Sequence, residues 1–213
     1  MNIKLEQLIP FPLKERDLSN SQIWNRSFEL ENGISYQIQA ASGTGKSTFL
    51  QIIYGNRKDF EGKVFIEGKD SAKLGVNDWA SLRKNRFSIV FQDLRLFSEL
   101  SAVENLKLKF HLESEHSWEK IENMIEKLGV AHLLDRKAKH LSYGERQRFA
   151  IIRALISPFE WLLLDEPFSH LDKANAKKAA ELIQENCKER NAGMLVAGLD
   201  EDAYFNYDKT LLL

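Results

Sequence analysis

A glycine-rich loop between a short strand and a helix constrains the fold of this 213-residue chain more than any other feature. The run at 34–39, ISYQIQ, predicts a strand, and the run at 47–55, STFLQIIYG, has a helical pattern. The loop segment AASGTGKST at 40–48 fits the pattern G-x-x-x-x-G-K-[ST], except that Ala40 replaces the first glycine. A strand, a glycine-rich loop and a helix in this order are typical of an α/β fold that binds phosphate. A flexible strand-to-helix turn is the alternative interpretation.

This loop contains the groups that a bound phosphate and a magnesium ion need. Its glycines let backbone N–H groups surround phosphate oxygens, and Lys46 supplies a cation. The Ser47 hydroxyl is a suitable ligand for Mg²⁺, and the helix N-terminus adds positive potential. We therefore expect seven consecutive residues to bind phosphate: Ser42, Gly43, Thr44, Gly45, Lys46, Ser47 and Thr48.

Secondary-structure patterns divide the chain into a β-rich first half and a second half in which helices and apolar strands alternate. Strands are predicted at 3–8, 23–30, 34–39, 63–68, 87–92, 161–164, 193–198 and 209–213, and helices at 117–128, 144–157 and 173–190. Short apolar strands that alternate with helices predict a parallel sheet covered on both faces. We expect a single domain spanning 1–213, with a mostly helical lobe at about 95–155.

Composition and charge exclude several classes of function. Thirty Lys and Arg residues nearly balance 31 Asp and Glu residues, so the chain lacks the cationic excess of a protein that binds nucleic acid through its phosphates. The single cysteine, Cys187, excludes an intramolecular disulfide and a cysteine-rich zinc site, and favours a reducing, cytoplasmic compartment. No segment has the roughly 18 to 20 apolar residues that span a bilayer. Work at a membrane would require other chains as anchors.

Two adjacent carboxylates follow the apolar strand predicted at 161–164. The segment 160–172 reads EWLLLDEPFSHLD and carries Asp165 and Glu166 at the end of this strand. Beside a phosphate loop, Asp165 is placed to hold Mg²⁺, usually through water, and Glu166 to orient or deprotonate an attacking water. An acidic pair that only begins a turn, helped by Pro167, is the alternative.

The segment LSYGERQR at 141–148 lies upstream of that strand and puts Ser142 and Gly144 at the start of a predicted helix. Exposed N–H groups and a hydroxyl at a helix N-terminus suit contact with a phosphate. The segment resembles the signature motif LSGGQ of the ATP-binding cassette (ABC) ATPases, which power membrane transporters. The local alternative is a capping box, in which Ser142 caps the helix and Glu145 closes the box. Both interpretations can hold together.

Other segments occur in the order of the same family. Gln92 in FSIVFQDLRLF resembles the Q-loop, LSAVENL at 100–106 its usual sequel, and SHLD, which ends in Asp172, the D-loop. Taken alone, Gln92 would be a solvated surface residue and Asp172 a helix N-cap. The resemblance covers about 22–213 and implies a P-loop NTPase of the ABC type. Such a fold has a mixed or parallel sheet core, an antiparallel β subdomain and a helical subdomain.

The resemblance implies an ATPase that uses ATP and Mg²⁺ and works as a homodimer or heterodimer of cassettes. Each ATP would lie between the phosphate loop of one copy and the LSYGE segment of the other, where Ser142, Gly144 and Asp172 complete the site. ATP would close the pair and hydrolysis would open it. The implied catalytic residues are Glu166, Gln92 and Lys46, and the implied metal ligands are Ser47, Gln92 and Asp165.

The resemblance also implies a separate transmembrane permease subunit. A groove near Gln92, lined by DLRLFSEL at 93–100, would hold a short helix of that subunit, although an ordinary solvated face would give the same charge pattern. The cassette would then be cytoplasmic and peripheral to the inner face of the membrane. The runs SLRKNRFSIVFQDLRLF and LSAVENL are similar to the branch of lipoprotein release, macrolide export and cell division.

Two features depart from the family pattern. The family has Thr-His-Asp after the strand GMLVAG, whereas this chain has Gly198, Leu199 and Asp200 and no histidine after residue 170. Leucine cannot donate a hydrogen bond to a γ-phosphate, so we expect slow hydrolysis. The tyrosine that stacks on adenine is also missing, and Phe11 and Trp24 are candidates that packing explains more readily.

The missing histidine keeps a second function open: a nucleotide-dependent clamp or regulatory ABC protein with weak hydrolysis. A soluble cassette of DNA repair or translation is a further alternative, but the chain lacks the length and the cysteines of the insertions that such proteins carry. A P-loop kinase of small molecules would give LSYGERQR no role.

Overall fold

Two β-sheets organise the fold in our computed structural model, which describes residues 1–39, 43–113, 117–198 and 204–213. The strands in chain order are β1 (Ile3–Pro10), β2 (Ser27–Leu30), β3 (Ser35–Gln39), β4 (Phe60–Ile66), β5 (Lys69–Asp70), β6 (Phe87–Val90), β7 (Trp161–Asp165), β8 (Gly193–Gly198) and β9 (Lys209–Leu212). The helices are α1 (Lys46–Ile53), α2 (Val76–Asn85), α3 (Ala102–Glu113), α4 (Trp118–Lys127), α5 (Tyr143–Ile156) and α6 (Lys173–Arg190).

The central sheet is parallel, with strand order β6-β7-β8-β3-β9. All five residues of β7 are buried, because its side chains alternate between two hydrophobic cores. Leu162 and Leu164 pack into the core formed with α3 to α6, and Trp161 and Leu163 pack into the core formed with α1 and the second sheet. A strand covered on both faces reads as a continuous apolar run, which is the pattern that the sequence has here.

The second sheet is antiparallel, with order β2-β1-β4-β5. Its strand β1 buries Ile3, Leu5 and Leu8 against α1 and the parallel sheet. The pairing of β1 with β4 shifts between Glu6 and Ile9, which is the signature of a β-bulge. Past the bulge, β1 ends at Pro10, beside the cavity described below.

The parallel sheet determines where the chemistry lies. The segments that follow β3, β6 and β7 all leave the carboxyl edge of the sheet, where ligands of α/β folds bind. These segments carry the glycine-rich loop, Gln92 and the pair Asp165–Glu166. The predicted strand at 23–30 is wrong in its first half, because only Ser27–Leu30 is a strand. Asn25 has a φ of 56°, so the chain turns there instead.

Candidate functional site

The glycine-rich loop is described from Gly43 onward, and the predicted phosphate contact Ser42 lies outside the described residues. Gly45 has a φ of 103°, and an added Cβ there would lie 2.9 Å from a methyl carbon of Leu13 and 3.1 Å from the Trp24 ring. Glycine is therefore required at this position for both its backbone conformation and its small size. Immediately afterwards Lys46 begins α1, and its side chain is only 6% exposed.

Trp24 packs against this loop and supports it. Its indole Nε1 donates a hydrogen bond to the carbonyl of Thr44 at 3.2 Å, and its ring packs edge-to-face on Phe49 with the centroids 5.7 Å apart. Because Trp24 is 1% exposed, its ring has no free face for a nucleotide base. The other adenine-stacking candidate, Phe11, is 55% exposed but does not line the cavity beside the loop.

Asp165 lies at the carboxyl end of β7 and is 4% exposed. Burial raises the pKa of its carboxyl group, and a hydrogen bond with Ser47 opposes that rise. Its Oδ1 atom is buried and has no hydrogen-bond partner within the described part of the chain. A buried carboxylate oxygen without a partner, next to a serine hydroxyl, fits the oxygen ligands that Mg²⁺ prefers.

Glu166 has a backbone conformation that non-glycine residues rarely adopt, with a φ of 49°. Three hydrogen bonds of 3.2 Å or less hold it: its N–H donates to the carbonyl of Ala197 at 2.9 Å, and its own carbonyl accepts from Gln147 Nε2 at 3.0 Å and from Ser169 Oγ at 3.2 Å. The Ser169 N–H adds a longer bond of 3.4 Å to the same carbonyl. The Glu166 carboxylate lies 3.4 Å from the Gln92 amide nitrogen. The two predicted catalytic side chains are therefore neighbours.

These groups line one cavity of about 300 Å³ at the carboxyl edge of the sheet. Its lining includes seven predicted site residues: Gly43, Gly45, Lys46, Ser47, Thr48, Gln92 and Glu166. A second cavity of about 380 Å³ adjoins it, shares Ser47 and Gln92, and is lined also by Asp165 and Tyr143.

The signature segment forms the start of α5. Ser142 is its N-cap: the Ser142 hydroxyl accepts from the Glu145 N–H at 3.3 Å, and the Glu145 carboxylate accepts from the Ser142 N–H at 2.7 Å. The predicted capping box is therefore present. Neither Ser142 nor Gly144 lines the cavity that contains Lys46. Within one chain, Tyr143 of the signature segment shares the second cavity with Ser47, but Ser142 and Gly144 line neither cavity.

Asp172 is likewise a helix N-cap. Its carboxylate accepts from the backbone N–H of Asn175 at 2.9 Å and from the side-chain amide of Asn175 at 2.7 Å, at the start of α6. The backbone N–H of Asn175 lowers the pKa of this carboxyl group. Asp172 also lies outside the cavity lining. The local capping interpretations of Ser142 and Asp172 are both confirmed.

Two residues of the site have a role that the sequence analysis missed. The Tyr143 hydroxyl donates a hydrogen bond to the backbone carbonyl of Gln92, and the Tyr143 ring lies against His170 with the centroids 3.9 Å apart. Tyr143 thus joins the signature segment to the segments that carry Gln92 and His170. Arg57, which lines the phosphate cavity, was also not predicted. Neither contact has a local sequence pattern that could have indicated it.

Comparison with known proteins identifies the family. The family model of the ABC transporter matches residues 23–169. The chain is 32% identical over 190 residues to the lipoprotein-releasing system ATP-binding protein LolD of Coxiella burnetii, covering 87% of this chain and 82% of that protein. It is 32% identical over 176 residues to the macrolide export ATP-binding/permease protein MacB of Shewanella sp. strain ANA-3, covering 80% of this chain but 26% of that protein.

Solved structures agree with this result. The dimeric structure of MJ0796, a bacterial ABC transporter cassette, superimposes with a TM-score of 0.77 at 26% identity, covering 92% of this chain and 87% of that one. MJ0796 in a post-hydrolysis state bound to ADP and Pi gives a TM-score of 0.76 at 27% identity, covering 93% and 88%. These neighbours confirm the predicted fold class. Among the described helices, none is long and apolar enough to cross a membrane. The chain therefore belongs to the ABC transporter family, as one of its ATP-hydrolysing cassettes.

Proposed function

We propose that this chain powers a separate membrane permease, and that it does so by closing on ATP as a pair of cassettes and opening after hydrolysis. One observation carries the proposal. The phosphate loop and Glu166 share a cavity, and Asp165 lines the adjoining one with Ser47, whereas Ser142 and Gly144 line neither in the same chain. The site is therefore half complete, and a neighbouring structure of the family is a dimer. A second cassette, identical or related, would supply the missing signature segment.

Within each half-site, different side chains would bind the nucleotide and cleave it. Lys46 would bind the terminal phosphates, helped by the positive end of α1. Ser47, Asp165 and Gln92 would hold Mg²⁺, which supplies charge neutralisation for the terminal phosphates when bound. The partnerless Oδ1 atom of Asp165 supports this assignment. Glu166 would accept a proton from the attacking water.

The contact between Gln92 and Glu166 supports the last assignment. Their 3.4 Å separation joins the carboxylate to the segment after β6, so the carboxylate and the amide are oriented together. The three backbone hydrogen bonds of Glu166 fix this arrangement at the end of β7. A positioned general base of this kind contributes about 10²- to 10⁴-fold to a rate.

Mixing two inactive variants tests the shared site. We expect Lys46→Ala and Ser142→Arg each to abolish hydrolysis, the first by removing a phosphate contact and the second by blocking the seam. A mixed pair contains one fully intact site, because its Lys46 and its Ser142 come from different copies. If sites act independently, equimolar mixing should restore about a quarter of the wild-type rate of phosphate release.

The control is a mixture of Lys46→Ala with the double variant that carries both changes. This mixture contains no intact site and should stay inactive. Activity that fails to recover in the first mixture, although size-exclusion chromatography shows mixed dimers with ATP, would contradict a site shared between two copies.

The permease would dock on an apolar groove of about 250 Å³ next to the segment that carries Gln92. Its rim contains three large apolar side chains that face solvent: Phe97 is 60% exposed, Leu108 is 42% exposed and Leu112 is 67% exposed. A short amphipathic helix is the ligand that suits such a groove. The relative MacB combines an ATP-binding and a permease part in one chain, of which this chain matches 26%. A separate permease subunit would supply the rest and hold the cassette at the inner face of the membrane.

Replacing Phe97 by aspartate should disrupt this docking. We expect at least a tenfold loss of co-purification with a permease from a solubilised membrane fraction, because a charge replaces an apolar contact. The ATPase rate of the isolated cassette should stay unchanged. Val76→Asp is the matched control, since Val76 is 84% exposed and lies outside the groove. Equal losses in both variants would contradict docking at this groove.

The relatives favour a transport subunit over a regulatory clamp. LolD and MacB are both named as ATP-binding components of release or export systems. These names also support the branch of lipoprotein release and macrolide export for this chain. Leu199 stands where the family has the histidine of Thr-His-Asp. This replacement would then affect the rate of hydrolysis rather than the class of function.

A further inference from the structure

Arg57 contributes a positive charge to the phosphate cavity, in addition to those of Lys46 and Arg16. It lies in the connection between α1 and β4, and its side chain lines the cavity together with Lys46 and Thr48. The side chain is 28% exposed. Sequence patterns assign no role to this residue, and the chemistry described above does not use it.

The Arg57 guanidinium is oriented before any ligand arrives. Its Nε atom donates to Asp59 Oδ1 at 2.9 Å, and its Nη2 atom donates to Asp59 Oδ2, so the carboxylate holds the guanidinium with two parallel bonds. Its Nη1 atom donates to Thr48 Oγ1 at 3.0 Å. These bonds account for three of the five N–H groups of an arginine. The guanidinium is thus held against Thr48, the last residue of the predicted phosphate loop.

Asp59 is in turn bonded to a segment that forms part of the cavity wall. Its carbonyl accepts a hydrogen bond from the Phe11 N–H at 3.0 Å, which ties the end of β1 to the same point. The flanking residues Pro10 and Pro12 line the cavity. Arg57 is therefore bonded to the end of the phosphate loop at Thr48 and, through Asp59, to the end of β1. It does not lie on a free loop.

The two ends of the cavity differ in chemistry. Ser47 and Gln92 also line the adjoining cavity that contains Asp165, so that end faces the cleavage machinery. Arg57, Arg16 and the two prolines line only the first cavity, as do Lys46 and Glu166. A nucleotide whose terminal phosphate faces Glu166 must direct its nucleoside, and the phosphate attached to it, toward the Arg57 end. None of the described lining residues at this end carries an aromatic ring.

We propose that Arg57 is a nucleotide-binding residue that contacts the α-phosphate, the phosphate attached to the ribose, and that Asp59 positions it for this contact. The proposal rests on the proposed function, because it needs a nucleoside triphosphate in this cavity. Charge on the phosphates, rather than a ring stacked on the base, then supplies much of the affinity at the nucleoside end. Arginine suits this role, since its planar fork pairs with two oxygens of one phosphate.

Nucleotide binding to Arg57→Gln tests the proposal. The α-phosphate is common to ADP, ATP and GTP, so the dissociation constants of all three should rise by the same factor, about 5- to 20-fold. Asp59→Asn should give a smaller rise, because the charge of Arg57 remains but its orientation is lost.

Arg83→Gln is the matched control. Arg83 bonds to the Asn56 side chain at 3.0 Å and lies outside the cavity, so its loss removes the same charge without touching the nucleotide. Unchanged binding in Arg57→Gln would overturn the proposal, as would a loss confined to ATP or a changed ratio of ATP to GTP affinity. A thermal melt of each apo variant separates these outcomes from unfolding.

The Lys46→Ala variant distinguishes a failure of the Arg57 proposal from a failure of the proposed function. If Lys46→Ala binds ATP as tightly as the wild type, the cavity is not the nucleotide site and the proposed function fails first. If Lys46→Ala loses binding while Arg57→Gln keeps it, the nucleotide site stands and the assignment of Arg57 alone is overturned.

Discussion

Replacing Glu166 by glutamine should lower the rate of ATP hydrolysis by about 10²- to 10³-fold while ATP still binds. Glutamine keeps the size of the side chain and its hydrogen bonding to Gln92, but it cannot accept a proton at neutral pH. The backbone should tolerate the change, because the three hydrogen bonds that hold Glu166 in its left-handed conformation involve only its main chain. Phosphate release at saturating ATP measures the effect.

The same variant should accumulate ATP-bound dimers, because the nucleotide that closes the pair is no longer cleaved. Light scattering with and without ATP measures this population. Glu181→Gln is a control for the loss of one negative charge, since Glu181 lies on α6 at the surface and is paired only loosely with Lys177, at 4.0 Å. Hydrolysis at the wild-type rate in Glu166→Gln would exclude Glu166 as the base.

The parallel sheet was the most predictable part of the fold. Its strands carry continuous apolar runs because both faces are covered, so the predicted strand at 193–198 agrees with Gly193–Gly198, and that at 161–164 misses only Asp165. The prediction of a strand at 23–30 failed in its first half for a physical reason. Ile23 and Trp24 are fully buried, yet they are buried beneath the phosphate loop rather than in a strand. An apolar residue in sequence indicates burial and not the element that produces it.

Helix α2 (Val76–Asn85) was not predicted at all. Only Trp79 is buried among its ten residues, so the helix shows no apolar stripe that a periodicity of 3.6 residues could reveal. Its start is marked by Asp78, whose carboxylate accepts from the Gly75 N–H at 2.9 Å. Such a helix is held by one anchor side chain and by its cap, and neither signal is strong in a single sequence.

The candidate site likewise contains some residues that the sequence could predict and others that it could not. Residues within local motifs could be predicted, because the chemistry of a phosphate loop or of a carboxylate at a strand end is encoded in neighbouring positions. The contact between Tyr143 and Gln92 joins residues 51 positions apart, and no local pattern records it. One motif supports both the cap formed by Ser142, which the structure shows, and its proposed phosphate contact, so the sequence alone could not separate the two.

Replacing Leu199 by histidine should raise the rate of ATP hydrolysis by about 10- to 100-fold, since one donor to a developing phosphate charge is worth roughly that much or more in a closed site. Leu199 itself lies outside the described residues. The strand before it, β8, ends at Gly198, and the neighbouring carbonyl of Ala197 accepts the Glu166 N–H at 2.9 Å. A histidine one residue beyond β8 would therefore follow a strand end that is hydrogen-bonded to the backbone of Glu166. Phosphate release at saturating ATP, with the dissociation constant of ATP measured separately, distinguishes faster cleavage from tighter binding.

Two further variants distinguish the effect of the added hydrogen-bond donor on the rate from the effect of removing leucine. Leu199→Ala removes the apolar side chain without adding a donor and should leave the rate unchanged, whereas Leu199→Gln adds a neutral donor and should give part of the gain. Combining Leu199→His with Glu166→Gln should abolish the gain, because a phosphate donor assists cleavage only while a base activates the water. A histidine variant that hydrolyses ATP no faster than the wild type would mean that Leu199 does not limit the rate, and that Glu166 with its Gln92 neighbour already suffices.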